Sequence, residues 1–344
     1  MAVPVAEHER FAYLLLTHKD PRHVEGLADR IRDLSPDALI VVHHDAAAPD
    51  LPWDGNPPAG IHLVERGRVS WGDWSMIEAT QRLLRYALDR LDAGWFVLLS
   101  GEHRPALDLH QWESSTAAAG YDALFDSERL PDHLHFGRAN FERSEYLARS
   151  RHRWRLFGRP RHRVVDRFVG LLMKLSWYVR PIVSVEFIHR RNAWAVGRRR
   201  RSDPVRGWAF YRGSQWFALN RRAASAALAI DRGVAAWFEH SWIPDEAFLH
   251  TALRQVPQLV VANSPTTFVL DRPAEPYPGW MLLSLEDLPT ALGSGLPFVR
   301  KVDPATRPEV VESIDLAVDR QRAKRGDPSA ASLQAPDHQR EGPS

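Results

Sequence analysis

Short, wholly apolar runs alternate with segments of helical period in the first third of the chain. Phe11 to Thr17 (FAYLLLT), Ala38 to His43 (ALIVVH) and Trp95 to Ser100 (WFVLLS) are such runs, and Ile61 to Glu65 is a shorter one. Apolar side chains at successive positions mark strands covered on both faces. Between them, Val24 to Leu34 repeats at Leu27, Ile31 and Leu34, and Met76 to Leu91 sets Ile77, Leu84, Ala87, Leu88 and Leu91 on one side. That spacing predicts two amphipathic helices lying on the sheet. Asp73 or Ser75 stands before the second helix as its N-cap. Strands and helices in this order predict an α/β fold with a central, mainly parallel sheet flanked by helices. Such sheets bind ligands at the carboxyl ends of their strands, where His18, Asp45 and Glu102 fall.

The pattern loosens between residues 103 and 210, where residues 150–163 are dominated by Arg and His and Arg198 to Arg201 are four arginines in a row. Val164 to Val185 is apolar but carries Asp166, Arg167, Lys174 and Arg180. Order returns with a strand over Gln215 to Leu219, a helix over Arg221 to Ile230 and a helix over Asp245 to Gln255. The expected division is a tail over residues 1–10, one domain over 11–316 with a solvated, basic and variable insertion at about 140–207, and a disordered tail over 317–344.

Charge and composition narrow the classes. The 344 residues carry a net charge of +2 and no cysteine, which removes disulfides and thiolate metal sites. Met1 to Arg10 is polar and lacks the apolar core of a signal peptide, and no stretch is apolar enough to cross a membrane. A cytoplasmic protein is expected, with the inner face of the membrane as a working place. The arginine-rich stretch 151–201 has neither a zinc pattern nor an aromatic RNA-binding signature, so nucleic acid is not expected as a partner. It suits peripheral contact with an anionic membrane, against the plainer reading of a solvated insertion.

Four motifs carry candidate chemistry. Pro244-Asp245-Glu246 places two carboxylates at a helix start, where capping alone accounts for acids; facing a cleft, Glu246 is a general base. Arg300-Lys301 lies between apolar residues; it is a solvated dibasic pair or a double cation for a diphosphate. Gly213-Ser214-Gln215-Trp216 is a strand with a buried aromatic, or a place where backbone approaches a ligand and Trp216 packs on a sugar face. Ser70-Trp71-Gly72 caps the long helix or walls a ligand. No Asp-x-Asp metal motif, Walker loop, Gly-x-Gly-x-x-Gly or His-Glu-x-x-His occurs. A base and a fixed double cation are what sugar transfer from a nucleotide diphosphate needs.

These motifs, with Ala12 to Lys19, Val42-His43-His44-Asp45 and Leu98-Leu99-Ser100-Gly101-Glu102, resemble in order and spacing the core-2/I-branching N-acetylglucosaminyltransferase family, which includes the peptide O-xylosyltransferases. The resemblance runs over about residues 11–316 with a poorly matching middle. It implies a GT-A-like nucleotide-sugar transferase fold and a beta-forming, inverting transfer of GlcNAc or xylose from a UDP-sugar, without metal or cofactor, to a glycan or lipid-linked glycan acceptor. It implies Glu246 as base, Arg300 and Lys301 on the diphosphate, and His18 and Asp45 on uridine. Glu102, Ser214, Gln215, Trp216, Asp245 and Trp71 then fall to acceptor or sugar. His103 stands where the family has Asp, and Pro278 to Trp280 where the animal enzymes have a further diphosphate arginine. The Ala- and Arg-rich composition points to a bacterial member. A non-catalytic carbohydrate- or lipid-phosphate-binding protein on the same scaffold is the alternative.

Overall fold

The computed structural model describes residues 9–53, 55–134, 141–158, 163–188, 193–201, 203–270 and 282–326. In chain order the elements are β1 (Phe11–Thr17), α1 (Pro21–Leu34), β2 (Leu39–His44), β3 (Ile61–Leu63), α2 (Ser75–Arg90), β4 (Trp95–Ser100), β5 (His103–Pro105), α3 (Leu109–Ala118) and β6 (Ala123–Arg129). Then come α4 (Phe141–Arg151), β7 (His152–Gly158), α5 (Arg163–Ser176), β8 (Val183–Ile188), β9 (Ala193–Arg199), β10 (Tyr211–Asn220), α6 (Arg221–Leu228) and α7 (Arg232–Glu239). The last are α8 (Phe248–Ala252), β11 (Val261–Asn263), β12 (Thr267–Val269), α9 (Leu288–Gly293), β13 (Phe298–Arg300) and α10 (Pro308–Gly326). They fall into two compact units: residues 1–24, 37–101 and 116–266, and residues 25–36, 102–115 and 267–344.

The first unit is built on a seven-stranded sheet in the order β11-β6-β10-β4-β1-β2-β3. β1 pairs in parallel with β2 and β4, and β2 with β3, while β10 runs antiparallel to β4 and β6. Every residue of β1 and β4 is buried, as their continuous apolar sequence requires. α2 turns Ile77, Ala79, Leu83, Leu84 and Ala87 into this core. Its N-cap position is Trp74 without a side-chain cap; Asp73 instead accepts from the Ser75 N–H at 3.1 Å. Asn220 caps α6 by accepting from the Ala223 N–H at 2.9 Å.

The basic segment expected as a solvated insertion builds a second sheet, β7-β9-β8, all antiparallel. Alternation divides its side chains between two faces. On one, Trp154 and Ala195 pack with Trp242 and Ile243. α5 lies over β8 on the other, its Asp166 accepting from Trp194 Nε1 at 3.0 Å.

The helix expected over 245–255 is interrupted. Pro244–Glu246 is one 3₁₀ turn, Ala247 leaves the helical region at φ −138°, and α8 follows before a second 3₁₀ turn at Leu253–Gln255. Proline in the first turn and two acids favour starting a helix there, but they do not hold Ala247 in it.

In the second unit β13 joins β12 in parallel and β5 antiparallel. Its core gathers Ala106, Leu283, Leu288, Val299, Val302 and Ile314. α10 runs on to Gly326, through the first residues assigned above to a disordered tail. Its apolar positions Val310, Ile314 and Val318 recur every four residues and are buried, and Asp315 and Asp319 pair with the buried Arg30 at 3.4 and 2.8 Å. That stripe and those pairs outweigh the polar composition. Residues 1–8 and 327–344, and Pro278 to Trp280, lie outside the described residues.

Candidate functional site

At the carboxyl ends of β1 and β2 in the first unit, a hydrogen-bonded chain fixes the loops. His44 Nε2 lies 2.8 Å from the Pro49 carbonyl and must donate to it, so its Nδ1 accepts the Thr17 hydroxyl at 2.7 Å. Asp45 is buried; its two oxygens accept from the Ala47 and Val69 N–H groups at 2.7 and 3.1 Å. Arg66 closes the same loop on the Asp45 and Ala48 carbonyls. Asp45 therefore shapes the strand-end loops, and His18 sits exposed one residue past β1. Burial, with Arg82 nearby, pushes the His43 ring down, so it stays neutral and accepts the Gly67 N–H at 3.2 Å.

Two of the sequence motifs meet. The Ile243 N–H donates to the Gly72 carbonyl at 3.3 Å, and Trp71 packs edge-on to Trp242 at 5.9 Å between centroids. Gly72 has φ +68°, and a Cβ there would touch Ile243 at 3.4 Å. Ile243 itself has φ 51°. The turn that follows carries Asp245, buried, and Glu246, half-buried. The Trp242 N–H donates to the carbonyl of Arg149, at the end of α4, whose side chain holds Glu145 and lies 3.9 Å from Glu186. Burial lowers the pKa of Arg149, but the fields of Glu145, Glu186 and Glu246 outweigh it and hold the guanidinium well above its ordinary value. Burial, then Glu145, pushes the Glu186 carboxyl up against the pull of Arg149 and Arg180. Nothing in the local sequence of Arg149 announces this place; the residue lies in the irregular basic stretch, far along the chain from Glu246.

β10 answers the question left open at Gly213 to Trp216. Its pairing with β6 shifts between Gly213 and Phe217, so four steps on β10 oppose two on β6. A Cβ on Gly213 would lie 1.8 Å from the Asp126 carbonyl oxygen. The glycine makes room for a neighbouring strand, not for a ligand. Trp216 is only 6% exposed and belongs to the main core, so the sugar-stacking role fails and the buried-aromatic reading stands. Ser214 and Gln215 stay half-buried in the bulge. The Ser214 carbonyl accepts from His250 Nε2 at 2.8 Å, and burial pushes the His250 ring down to about 4.

In the second unit Arg300 and Lys301 end β13, joined by a cis peptide bond. Glu102, 3% exposed, lies 3.4 Å from Arg300 and 3.3 Å from Lys301, and its carbonyl accepts the Val302 N–H at 2.9 Å. Glu102, placed by motif position on the acceptor side, is thus the counter-charge of the cation pair. His103, opposite Arg300 in the β5–β13 ladder, is buried against Phe298. Arg104 makes a two-pronged pair with Asp315.

Among the described residues no three His, Asp or Glu side chains are grouped to hold a metal ion. A cavity of about 150 Å³ in the first unit is lined by Arg151, Arg199, Arg200 and Asp203, among others, and by none of the motif residues.

Over residues 11–140 the chain matches the family model for the Core-2/I-Branching enzymes. No curated protein matches the chain. Solved structures similar to it include a Bacillus anthracis protein designated a glucose-1-phosphate thymidylyltransferase, in complex with sucrose. It is 8% identical, with a TM-score of 0.33, over 73% of this chain and 86% of that one. Another is a 4-diphosphocytidyl-2C-methyl-D-erythritol synthase from Anaerococcus prevotii. It is 10% identical, with a TM-score of 0.30, over 83% of this chain and 98% of that one.

Proposed function

We propose that the chain moves N-acetylglucosamine or xylose from its UDP donor to a hydroxyl of a glycan or lipid-linked glycan precursor, with inversion and without a divalent metal. Glu246 takes the acceptor proton as the acceptor oxygen bonds to the anomeric carbon. The bond from that carbon to the diphosphate oxygen breaks in the same step, and the electron pair leaves with UDP through an oxocarbenium-like transition state. Arg300 and Lys301 take up the charge on the leaving diphosphate, the work a metal does in enzymes with Asp-x-Asp motifs. His18 and Asp45 contact the uridine; Trp71, Ser214, Gln215 and Asp245 line the sugar and acceptor side. The protein works in the cytoplasm of a bacterium on a GT-A-like scaffold.

The observation that carries this reading is the Glu246 turn. It is held by Gly72, Trp71 and Trp242 on one side, and its carboxylate acts on Arg149 through its field. A solvated helix start needs none of these. Supporting it, the dibasic pair is almost buried and has its own carboxylate, unlike a surface dibasic. The test is UDP release from a panel of UDP-sugars with EDTA present. Turnover of UDP-GlcNAc or UDP-xylose, lost by about 10²-fold or more in Glu246→Gln with donor binding kept, is the expected result. A strict Mn²⁺ requirement contradicts the metal-free step. Donor binding with no turnover for any acceptor places the chain with non-catalytic binding proteins.

A further inference from the structure

α5 is amphipathic the wrong way round for a helix packed on its own protein. At about 100° per residue, Asp166, Val169, Gly170, Met173 and Trp177 share one side, the side that gives Asp166 to Trp194 and the Ser176 hydroxyl to the Val185 N–H. The opposite side carries Val164, Val165, Phe168, Leu171, Leu172 and Leu175, all exposed; Phe168 is 58% and Leu175 54% open to solvent. The apolar surface continues into the turn after the helix at Tyr178, Val179 and Ile182, and reappears at Phe157 on β7. Single exposed apolar residues are ordinary, but a contiguous face of this kind marks a surface that meets something apolar.

Charge says what that is. Residues 150–185 hold nine Lys and Arg and one acid, Asp166. Asp166 is tied to Trp194, whereas Arg167 and Lys174 stand exposed on one flank of the apolar stripe. Arg155 is exposed on the same sheet face as Phe157, two residues along β7. A stripe of large aliphatic and aromatic groups bordered by cations fits an anionic bilayer, with the apolar groups in the acyl boundary and the cations among the phosphates. A helix of 14 residues is about 21 Å long and lies in the interface; among the described residues no helix is long and apolar enough to cross a membrane.

We propose that α5, with Phe157 and the Tyr178–Ile182 turn, is a membrane-insertion face for an anionic lipid surface. The other face of the same three-stranded sheet carries Trp154 and Ala195 against Trp242 and Ile243, and Glu246 follows within three residues. Docking through α5 therefore sets the Glu246 turn beyond one helix and one sheet, about 20 Å from the lipid. Resting on the transfer function proposed above, this makes a lipid-anchored hydroxyl the acceptor reached most readily.

The test is co-sedimentation of the full chain with vesicles of phosphatidylcholine alone and of phosphatidylcholine mixed with phosphatidylglycerol. Binding to the mixed vesicles is expected. The double variant Phe168→Glu and Leu175→Glu should lower it by about 100-fold or more, and Arg167→Ala with Lys174→Ala by about tenfold. All four side chains are exposed, so thermal unfolding of both variants should match the parent. Absence of vesicle binding overturns the proposal. So does an apolar face that holds a second copy of the chain, seen as a dimer in sedimentation equilibrium that Phe168→Glu and Leu175→Glu dissociates. UDP release to water, measured in parallel, separates the two claims: it stays with the Glu246 site whether or not vesicles bind.

Discussion

Replacing Gly213 by alanine isolates one contact and puts a number on it. The new methyl would stand 1.8 Å from the Asp126 oxygen, 2.8 Å from its carbonyl carbon and 2.9 Å from the Ser127 Cα. All three are backbone atoms, so no side chain can swing aside, and β10 must move off β6 by about 1 Å or more to reach an ordinary contact. The ladder pairs that flank the site, Tyr211 with Arg129 and Gly213 with Ser127, then lengthen. Two weakened backbone hydrogen bonds cost about 1 kcal/mol each, and overpacking adds about 1–3 kcal/mol. The stiffer unfolded chain returns up to about 1 kcal/mol. The expected loss is about 3 kcal/mol, read as a fall in the urea midpoint at constant slope and a Tm lower by about 6 °C. Affinity for UDP, whose proposed contacts lie away from β10, should not change when measured by calorimetry well below that Tm. Gly213→Ala with parental stability and lost UDP affinity would refute this account, because the glycine would then serve a ligand.

Other outcomes follow from the same packing. Glu102→Gln leaves Arg300 and Lys301 nearly buried without a counter-charge; stability should fall by about 3 kcal/mol. UDP should raise the Tm of that variant more than the parent's, whereas equal shifts would remove the diphosphate role of the pair. His250 and His152 are both pushed by burial from 6.5 to about 4. The unfolded state binds protons first, so their contribution is whole above pH 6.5 and drains away between pH 6.5 and 4, by about 3 kcal/mol for each ring. A stability that stays flat across that window would show that the rings are not held neutral. Asp315→Asn strips the counter-charge from the mostly buried Arg104, while Arg30 keeps Asp319 and Asp33, and should cost about 3 kcal/mol in urea unfolding; parental stability would mean that the Arg104 pair does not hold α10.

What could be read from the chain was whatever a local pattern dictates. β1, β2 and β4 are legible because strands buried on both sides leave no polar position to confuse their limits. The Glu246 turn is legible as a motif but not as a shape: the sequence does not fix the dihedrals of Ala247, and only they decide between a long helix and three short pieces. Periodicity shows that Val164 to Leu175 share a side of α5, and it is silent on whether that side is covered. The pairing of Glu102 with Arg300 joins residues about 200 positions apart, and no spacing rule reaches that far. Arg149 is invisible for the same reason, since its meaning comes from Glu145, Glu186 and Glu246 around it. Trp216 shows the converse: a motif match located it correctly in the chain, and burial removed the contact that the motif implied.

Ile243 bears on any effort to make this protein hardier. A β-branched residue at φ 51° sits about 1–2 kcal/mol above a relaxed backbone. Glycine at that position would relieve the strain, but the side chain is buried with Trp154, Ala195 and Trp242 in the cluster ahead of Glu246. Emptying it costs about 2–5 kcal/mol, more than the strain returns. The strain at Ile243 is therefore a feature for the protein engineer to leave in place, because the packing that causes it outweighs it.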